Sequence, residues 1–423
     1  MVEGNGRGRQ RKVKIAFVTL GCKLNYAETS TYERGFKAAG LEAVPWREGA
    51  DVFLVNTCTV TETANKKSRG EIRKLHRLNP SARIIVTGCY AQMQPSEVAA
   101  LEGVAKVFRS DEKDKVVPET LKLLGIAAPA SPADGGAYSS GERTRSFLKV
   151  QDGCNNFCRY CTVPYARGRS RNIPVCEAVA HAREIAALGI KEIVLTGVNT
   201  GDFGRSTGET FLELLQALDG VEGIERYRIS SIEPNLLTEE IIDWIASGTK
   251  FQPHFHIPLQ VGCDELLTAM GRRYTTSEFA AKTAYIRQAM EGPGKPLVFF
   301  GIDVMAGLPG ETDALFGRTC AFLEEIRPAF IHIFPYSRRP GTPAAVMPGQ
   351  VSPAVKTERV AVLEQLCSRL HSLFLEANRG VREKVLWESR EKDGTMGGYT
   401  GNYIRLTRPY DPAKVNTIED VVI

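Results

Sequence analysis

The chain has 423 residues, of which 43% are hydrophobic and 24% charged, as is ordinary for a soluble globular protein. No stretch approaches the roughly 18 apolar residues of a membrane span, and the basic N-terminus lacks the apolar run of a secretory signal. We therefore expect no membrane association and a cytoplasmic location, where ten cysteines indicate metal binding or catalysis more than disulfides. The formal net charge of +5 is mild, so RNA binding must be argued from local clusters such as "RGRSR" at 167–171.

The first domain is predicted over residues 13–125, after a short disordered basic arm over residues 1–12. Strand and helix patterns alternate there, which predicts a parallel α/β sheet. Buried-strand runs lie at 13–20, 51–56 and 82–87, and helical patterns lie at 27–39, at 61–78 and beyond Pro95.

A second alternating series is predicted over residues 146–378, after a linker rich in Ala, Pro, Gly and Ser over residues 126–145. Six strand–helix units over about 200 residues fit a partial (β/α)6 barrel better than an eight-fold one. The strands are expected near 147–150, 192–196, 226–231, 254–257, 298–304 and 330–333, with a long helix over 353–378. Residues 379–423 contain short strand patterns separated by glycines, which predicts a small all-β segment.

Three isolated cysteines each follow a predicted strand of the first domain. Cys22 comes after "VTLG", Cys58 after "FLVNT" and Cys89 after "IVTG". Ligands of open parallel sheets bind beyond the carboxyl ends of the strands, so we expect these thiols to converge in one crevice. Each cysteine taken alone suits a small buried hydrophobic residue, but the shared position favours a metal cluster.

A second set of cysteines is packed into one loop, "GCNNFCRYC", directly after the first predicted strand of the barrel. Loops at the carboxyl ends of barrel strands carry the chemistry in such folds. A closed structural zinc site takes four ligands, whereas Cys154, Cys158 and Cys161 offer three. Three thiolates can hold three irons of a 4Fe-4S cube and leave the fourth iron open for a small molecule. A catalytic zinc ion with cysteine ligands is the alternative.

The CxxxCxxC spacing, with the aromatic Tyr160 before its last cysteine, resembles that of the radical S-adenosylmethionine (SAM) enzymes. Together with "GCKLN", "VNTCTVTETANKKSR", "TGCYAQ" and "LTGVNTG", it is more closely similar to the methylthiotransferases, and this resemblance covers nearly the whole chain. It implies SAM as cofactor, a flavodoxin-like N-terminal domain and two 4Fe-4S clusters. The auxiliary cluster would be held by Cys22, Cys58 and Cys89, and the SAM-cleaving cluster by Cys154, Cys158 and Cys161.

The resemblance also suggests residues around SAM and the substrate. Gly197, Val198 and Asn199 stand where many radical SAM enzymes have the Gly-Gly-Glu motif that holds the SAM amino group. Polar residues at the ends of later strands, with Tyr160, are further candidates for the cofactor: Ser231, Glu233, Gln260 and Asp303. Tyr336 and Arg338 are candidates for the substrate nucleotide. The alternative for such strand-end residues is that they only order the loops that follow.

The C-terminal segment resembles the beginning of a TRAM domain, a small β-barrel that grips tRNA, although it is shorter than that domain. Tyr403 and Arg405, with Tyr399 and Arg408, supply the aromatic and basic mixture that RNA contacts use. We expect this segment to bind RNA, with tRNA affinity depending on how much of the barrel forms.

Within the family, "NTCTVT", "TGCYAQ" and "LTGVNTG" most resemble the branch that acts on N-threonylcarbamoyl-adenosine 37 of tRNA. This resemblance implies insertion of a methylthio group at carbon 2 of that base. The partners would be the tRNA anticodon loop, a reducing electron donor and a sulfur source. Three alternatives are isopentenyl-adenosine in tRNA, an aspartate of a ribosomal protein, and a non-catalytic iron–sulfur protein that binds RNA.

Overall fold

The computed structural model describes residues 11–127, 137–139 and 144–423. They fall into two compact units, residues 1–137 and 138–423. Most of the expected basic arm and most of the predicted linker lie outside the described residues. Within the described part of the chain, no helix has the length and apolar character needed to cross a membrane.

The first unit is a parallel sheet whose strands run in the order β2-β1-β3-β4-β5, the flavodoxin-like order. Its strands are β1 (Lys14–Thr19), β2 (Glu42–Ala43), β3 (Val52–Thr57), β4 (Arg83–Gly88) and β5 (Val104–Val107). Its helices are α1 (Lys23–Ala38), α2 (Glu62–Leu78), α3 (Cys89–Met93), α4 (Pro95–Ala99) and α5 (Val116–Leu123). The expected parallel α/β sheet is confirmed, and the short strands β2 and β5 are additions to it.

Successive residues of the central strand β3 contribute to two hydrophobic cores, one on each face of this sheet. Val52 and Leu54 of β3 pack with residues of α1 and α5, whereas Phe53 and Val55 pack with residues of α2. Successive strand residues point to opposite faces, so a strand buried on both sides is apolar throughout. This explains why β3 appears in the sequence as a continuous apolar run.

The second unit contains six parallel strands in the order β6-β9-β10-β11-β12-β13. They form two three-stranded sheets, joined by a parallel bridge between Tyr227 and Phe251. The six strands are β6 (Arg145–Lys149), β9 (Glu192–Thr196), β10 (Arg226–Ile229), β11 (His254–Gln260), β12 (Phe299–Ala306) and β13 (Phe330–Pro335). The expected partial barrel is confirmed, and each strand overlaps its predicted position. A short antiparallel pair, β7 (Gln151–Asp152) and β8 (Arg171–Asn172), brackets the cysteine loop.

The short helix α6 (Val163–Arg167) lies in the loop between β7 and β8. The other helices pack with the strands around one large core. They are α7 (Val175–Ala187), α8 (Phe211–Asp219), α9 (Glu239–Ala246), α10 (Asp264–Ala269), α11 (Thr276–Met290), α12 (Asp313–Ile326) and α13 (Pro353–Ala377). Two of them, α8 and α11, begin with complete capping boxes, at Thr210 and Thr275. These caps satisfy main-chain N–H groups that a helix start leaves without partners.

The C-terminal segment forms a four-stranded antiparallel sheet in the order β16-β15-β14-β17, which confirms the expected all-β segment. Its strands are β14 (Arg382–Arg390), β15 (Thr395–Thr400), β16 (Arg405–Pro409) and β17 (Ile418–Val422). Two arginines of β10 hold this sheet against the barrel. Arg226 donates to the carbonyls of Tyr399 and Lys384, and Arg228 donates to those of Thr400 and Gly401.

Candidate active site

The cysteine loop returns on itself directly after β7. The backbone of Gly153 has φ +73°, and a β-carbon there would overlap the carbonyl oxygen of Arg169. Only glycine fits this approach without displacing the backbone. The N–H of Cys154 then donates to the carbonyl of Gly168 at 3.1 Å, which closes the loop between β7 and β8.

Each thiol of this loop accepts one hydrogen bond from a nitrogen. Cys154 Sγ accepts from the N–H of Asn156 at 3.4 Å, and Cys161 Sγ accepts from the N–H of Val163 at 3.4 Å. Cys158 Sγ accepts from Nη1 of Arg272 at 3.2 Å. Donors aimed at sulfur favour the charged thiolate, which is the form that binds metal.

Burial acts in the opposite direction on the thiols of Cys154 and Cys161. Burial and, to a smaller extent, the neighbouring Cys158 raise the pKa of Cys161 to about 12. Burial likewise raises the pKa of Cys154. Because burial penalises the anion, these thiols need a nearby cation to become thiolates at neutral pH. The donor set therefore suits iron, whose positive charge would compensate for the lost hydration.

One further group of metal-ligating side chains is compact. The ligand atoms of His256, Asp303 and His332 all lie within 4.8 Å of one another.

Arg272 links the cysteine loop to the residues expected around SAM. Its nearly buried guanidinium binds Glu233 through two contacts of 2.7 Å. The same side chain donates to the hydroxyls of Tyr160 at 3.4 Å and Tyr274 at 3.1 Å. Tyr274 in turn donates to the carbonyl of Leu259 at 2.9 Å. Arg272 thus fixes a carboxylate, a thiol and an aromatic ring relative to one another.

Sequence reasoning placed Tyr160 and Glu233 in this region but missed Arg272. The available signal was the pair of arginines in "LLTAMGRRY", where charge follows an apolar helix. Burial raises the pKa of Tyr160 well above its ordinary value, although Arg272 opposes this. The Tyr160 hydroxyl is therefore neutral at neutral pH and is available as a hydrogen-bond donor.

The side chain of Gln151 holds the "GVN" turn, residues 197–199, that follows β9. Its side-chain oxygen accepts the N–H groups of Val198 at 2.9 Å and Asn199 at 3.0 Å. The Asn199 side-chain oxygen accepts the N–H of Glu233 at 3.3 Å. Gly197 begins this turn, and its α-carbon lies so close to Gln151 that a β-carbon would stand 2.8 Å from the Gln151 side-chain oxygen. Residues predicted separately for SAM thus form one network with Glu233.

Other predicted cofactor residues lie at the carboxyl ends of neighbouring strands. The carbonyl of Ser231 accepts the N–H and the hydroxyl of Thr200 at 3.0 Å. Gln260 is buried at an irregularity of β11 and has φ +75°. Asp303, in contrast to its predicted place at a strand end, lies within β12, three residues before the end of that strand, and its carboxylate is 2.8 Å from Nε2 of His256.

The four residues predicted for the substrate differ in accessibility. Tyr336 is buried, whereas Arg338 is exposed and donates to the carbonyl of Ala345 at 2.5 Å. Tyr403 is half-buried, stacks on Tyr399 with ring centroids 4.7 Å apart and accepts from Arg145 at 3.2 Å. Arg405 is exposed and pairs with Glu391. The structure does not bring these four together with the cysteine loop in one set of contacts.

In the first unit, Cys22, Cys58 and Cys89 follow three strands whose ends are in register. Thr19 of β1 pairs with Asn56 of β3, which pairs with Thr87 of β4. The cysteines come three, two and two residues after this row. Adjacent strands are about 4.8 Å apart, so the three thiols lie at the same edge of the sheet, as the sequence predicts.

Close packing at the first turn places Gly21, the residue before Cys22, against Cys58. Gly21 has φ +105°, and a β-carbon there would lie 2.8 Å from Cβ and 3.1 Å from Sγ of Cys58. Asn25 supports the same turn by donating to the carbonyls of Leu20 at 2.7 Å and Thr57 at 3.1 Å. Cys22 is exposed, whereas Cys58 and Cys89 are buried. The set of thiols fits a cluster with one accessible side.

Comparison with known proteins gives a family match within each of the two units. Residues 148–323 match the Radical SAM superfamily, and residues 14–109 match "Uncharacterized protein family UPF0004". Among solved structures, the radical S-adenosylmethionine methyltransferase TsrM from Kitasatospora setae has a TM-score of 0.59 at 16% identity, over 79% of this chain and 75% of that one. The barrel and its cysteine loop therefore define a radical SAM enzyme.

Curated relatives narrow this class. The threonylcarbamoyladenosine tRNA methylthiotransferase MtaB of Bacillus subtilis is 39% identical over 93% of this chain and 89% of that protein. The protein of the same name from Aquifex aeolicus is 36% identical over 94% of this chain and 97% of that protein. A tRNA-2-methylthio-N(6)-dimethylallyladenosine synthase from Maricaulis maris is 34% identical over 91% of this chain and 88% of that protein. The chain belongs to the radical SAM tRNA methylthiotransferase family, whose cofactors are SAM and 4Fe-4S clusters.

Proposed function

We propose that this enzyme inserts a methylthio group at carbon 2 of N-threonylcarbamoyl-adenosine in the anticodon loop of tRNA. The observation that carries this proposal is the similarity, along nearly the whole chain, to relatives named for that nucleoside. The dimethylallyladenosine synthase of Maricaulis maris, at 34% identity, is less similar than these two relatives at 39% and 36%, which favours the threonylcarbamoyl substrate. A tRNA substrate also favours a cytoplasmic location.

We assign the SAM-cleaving 4Fe-4S cluster to Cys154, Cys158 and Cys161. When bound, this cluster and SAM supply radical chemistry at an aromatic C–H bond, which acid–base groups cannot activate. The protein's own residues bind, orient and exclude water. Three thiolates would hold the cluster, and Arg272, which donates to Cys158, also fixes Glu233. Gln151 holds the "GVN" turn in place.

We assign the auxiliary 4Fe-4S cluster, as the carrier of the sulfur to be transferred, to Cys22, Cys58 and Cys89. The exposed Cys22 gives this site an accessible side, through which a sulfur source would renew it. An electron donor is also required, because SAM cleavage consumes an electron. Tyr336, Arg338, Tyr403 and Arg405 remain our candidates for contacts with tRNA, of which Arg338 and Arg405 are exposed.

Iron counting after anaerobic reconstitution tests the two assignments. We expect about eight irons per chain in the wild type and about four in each of Cys58→Ser and Cys158→Ser, since each cube holds four. Cys367→Ser is the matched control, because Cys367 is buried beside β13 and donates to the carbonyl of Ile331. Wild-type iron content in Cys58→Ser would contradict the auxiliary site.

Mass analysis of tRNA nucleosides from a strain lacking the gene tests the reaction. We expect the methylthio group to be lost from threonylcarbamoyl-adenosine alone and restored by the intact gene. Loss from isopentenyl-adenosine, or from a ribosomal protein aspartate, would replace our proposal with the corresponding alternative. Failure to form 5′-deoxyadenosine from SAM under reducing conditions would favour a non-catalytic iron–sulfur protein.

A further inference from the structure

Two aromatic rings stand exposed on the cysteine loop itself. The side chains of Phe157 and Tyr165 are 39% and 47% exposed, and their rings meet edge to face with centroids 5.8 Å apart. The guanidinium of Arg169 lies 5.1 Å from the centroid of the Phe157 ring. We call these three residues the aromatic lip.

Packing does not account for the ring of Phe157. Its backbone has φ +49°, a left-handed conformation that glycine or asparagine adopts at less cost. Tyr160, three residues later, packs against the barrel core, whereas Phe157 presents its ring to solvent. A strained backbone and an exposed aromatic side chain together indicate that the ring serves an interaction at the surface.

The charged residues of the loop that carries the aromatic lip have one sign. Residues 154–171 contain four arginines and no aspartate or glutamate. Arg159, Arg169 and Arg171 are exposed. The nearest carboxylate in the sequence, Asp152, is buried and paired with three cations, namely Lys149, Arg167 and Arg171. A partner of this surface would therefore be negatively charged.

We propose that the aromatic lip stacks against an unpaired nucleotide that flanks the target base in the RNA loop. This inference rests on the proposed function, since it needs an RNA substrate. Phe157 is the chain neighbour of Cys158, so a base that reacts at this cluster brings its neighbouring nucleotides to the lip. Single-stranded RNA is bound by aromatic rings and arginine planes that stack on bases.

Stacking at this position would offset a cost of the reaction. A base that reacts inside an enzyme must leave its stack, which costs a few kcal/mol in nucleic acids. Phe157 and Tyr165 offer a flanking nucleotide a replacement surface, and Arg169 adds a cation close to the phosphates. The aromatic lip would therefore bind the RNA loop and at the same time stabilise the state in which the target base has left its stack.

An acidic redox protein that delivers electrons is the competing partner for a basic surface near a cluster. A basic surface would be enough to bind an acidic redox protein. Such a partner does not explain the two exposed rings or the strained backbone of Phe157. RNA uses both the charge and the ring faces. The observations therefore favour RNA, and the experiment below separates the two partners.

The test measures the affinity of the reconstituted enzyme for an anticodon stem–loop RNA carrying threonylcarbamoyl-adenosine. We expect Phe157→Leu and Tyr165→Leu each to weaken binding by about 5- to 150-fold, the range for loss of one base–aromatic stack. Phe157→Tyr should retain binding because it keeps the ring. Arg169→Gln should reduce the slope of log affinity against log salt by about 0.7, as for one lost contact to single-stranded phosphate.

Iron content separates a stacking role from support of the cluster loop. Leu373→Ala removes an exposed apolar side chain from α13 and is the matched control. If Tyr165→Leu retains its iron and binds RNA as tightly as Leu373→Ala does, the proposal is overturned. It is also overturned if RNA affinity is retained and reduction by a protein donor slows while reduction by dithionite does not. Failure of the proposed function is a distinct result, because the wild type itself would then form no methylthio product.

Discussion

Replacing Glu192 with glutamine should loosen the C-terminal sheet from the barrel. The carboxylate of Glu192 is fully buried and lies 2.9 Å from Arg228, 3.7 Å from Arg226 and 3.9 Å from Arg145. Arg226 and Arg228 are the residues that donate to carbonyls of the C-terminal sheet. Without the carboxylate, these buried arginines lose their shared counter-charge.

Removing one partner of a buried ion pair costs about 3–5 kcal/mol, a large part of the roughly 5–15 kcal/mol that stabilises a native domain. Trp387 is buried in the C-terminal sheet and donates to Glu419 at 2.9 Å, so its fluorescence reports unfolding of that sheet in urea. The control is Glu225→Gln, which breaks the half-exposed pair with Lys191. Its expected loss is below about 1 kcal/mol. A loss in Glu192→Gln no larger than this control would refute the reasoning.

The dependence of stability on pH gives a second measure of the same carboxylate. Burial alone would raise the pKa of Glu192, but Arg228, Arg145 and Arg226 hold it below its ordinary value. A carboxyl whose pKa is lower in the folded state stabilises the fold above its unfolded pKa. That contribution is lost as the pH falls through the folded pKa. We expect the wild type to lose this stability below about pH 4, whereas Glu192→Gln should lack this component.

Three further predictions concern the iron sites and a helix. Gly21→Ala places a methyl group 2.8 Å from Cβ of Cys58. It should lower the iron content from about eight to about four per chain. The control is Gly40→Ala, where a β-carbon meets open space, and it should retain all of the iron. Arg272→Gln removes the donor to Cys158 Sγ. It should lower the reduction potential of the cluster, because hydrogen bonds to sulfur raise that potential. An unchanged potential in an anaerobic redox titration would contradict this role of Arg272. Thr210→Ala removes the capping box of α8 and should cost about 1 kcal/mol of unfolding free energy, measured by urea denaturation; no measurable loss would show that water replaces the cap.

Strands with buried apolar runs were predictable from the sequence, and the short edge strands were not. The prediction at 192–196 coincides with β9, all of whose residues are buried. The prediction at 254–257 begins with β11 but stops before Pro258, beyond which the strand continues irregularly to Gln260. The strands β2 and β5 were not predicted because they are short and none of their residues is fully buried. They complete the sheet through main-chain hydrogen bonds, which leave no apolar pattern.

The cysteines of the site were predictable because their chemistry is carried by residue type and by position after a strand. Gln151 and Arg272 were not, because their roles arise only in the folded chain. Gln151 binds N–H groups 47 and 48 residues away, and Arg272 reaches a thiol 114 residues away. A neutral amide and the first arginine of "GRRY" have no spacing that marks such contacts. What the sequence omits is therefore the polar support of the cofactor residues.

In both sets of thiols, one cysteine is preceded by a glycine whose backbone lies too close to a neighbouring group for any side chain to fit. Gly21 lies against Cys58 and Gly153 against the carbonyl of Arg169, each one residue before a cysteine of its set. The two sites then diverge in their surroundings. Cys158 is buried and accepts a charged hydrogen bond from Arg272, whereas Cys22 is exposed at the edge of its sheet. The exposure of Cys22 supports the role proposed for its set, the renewable carrier of sulfur.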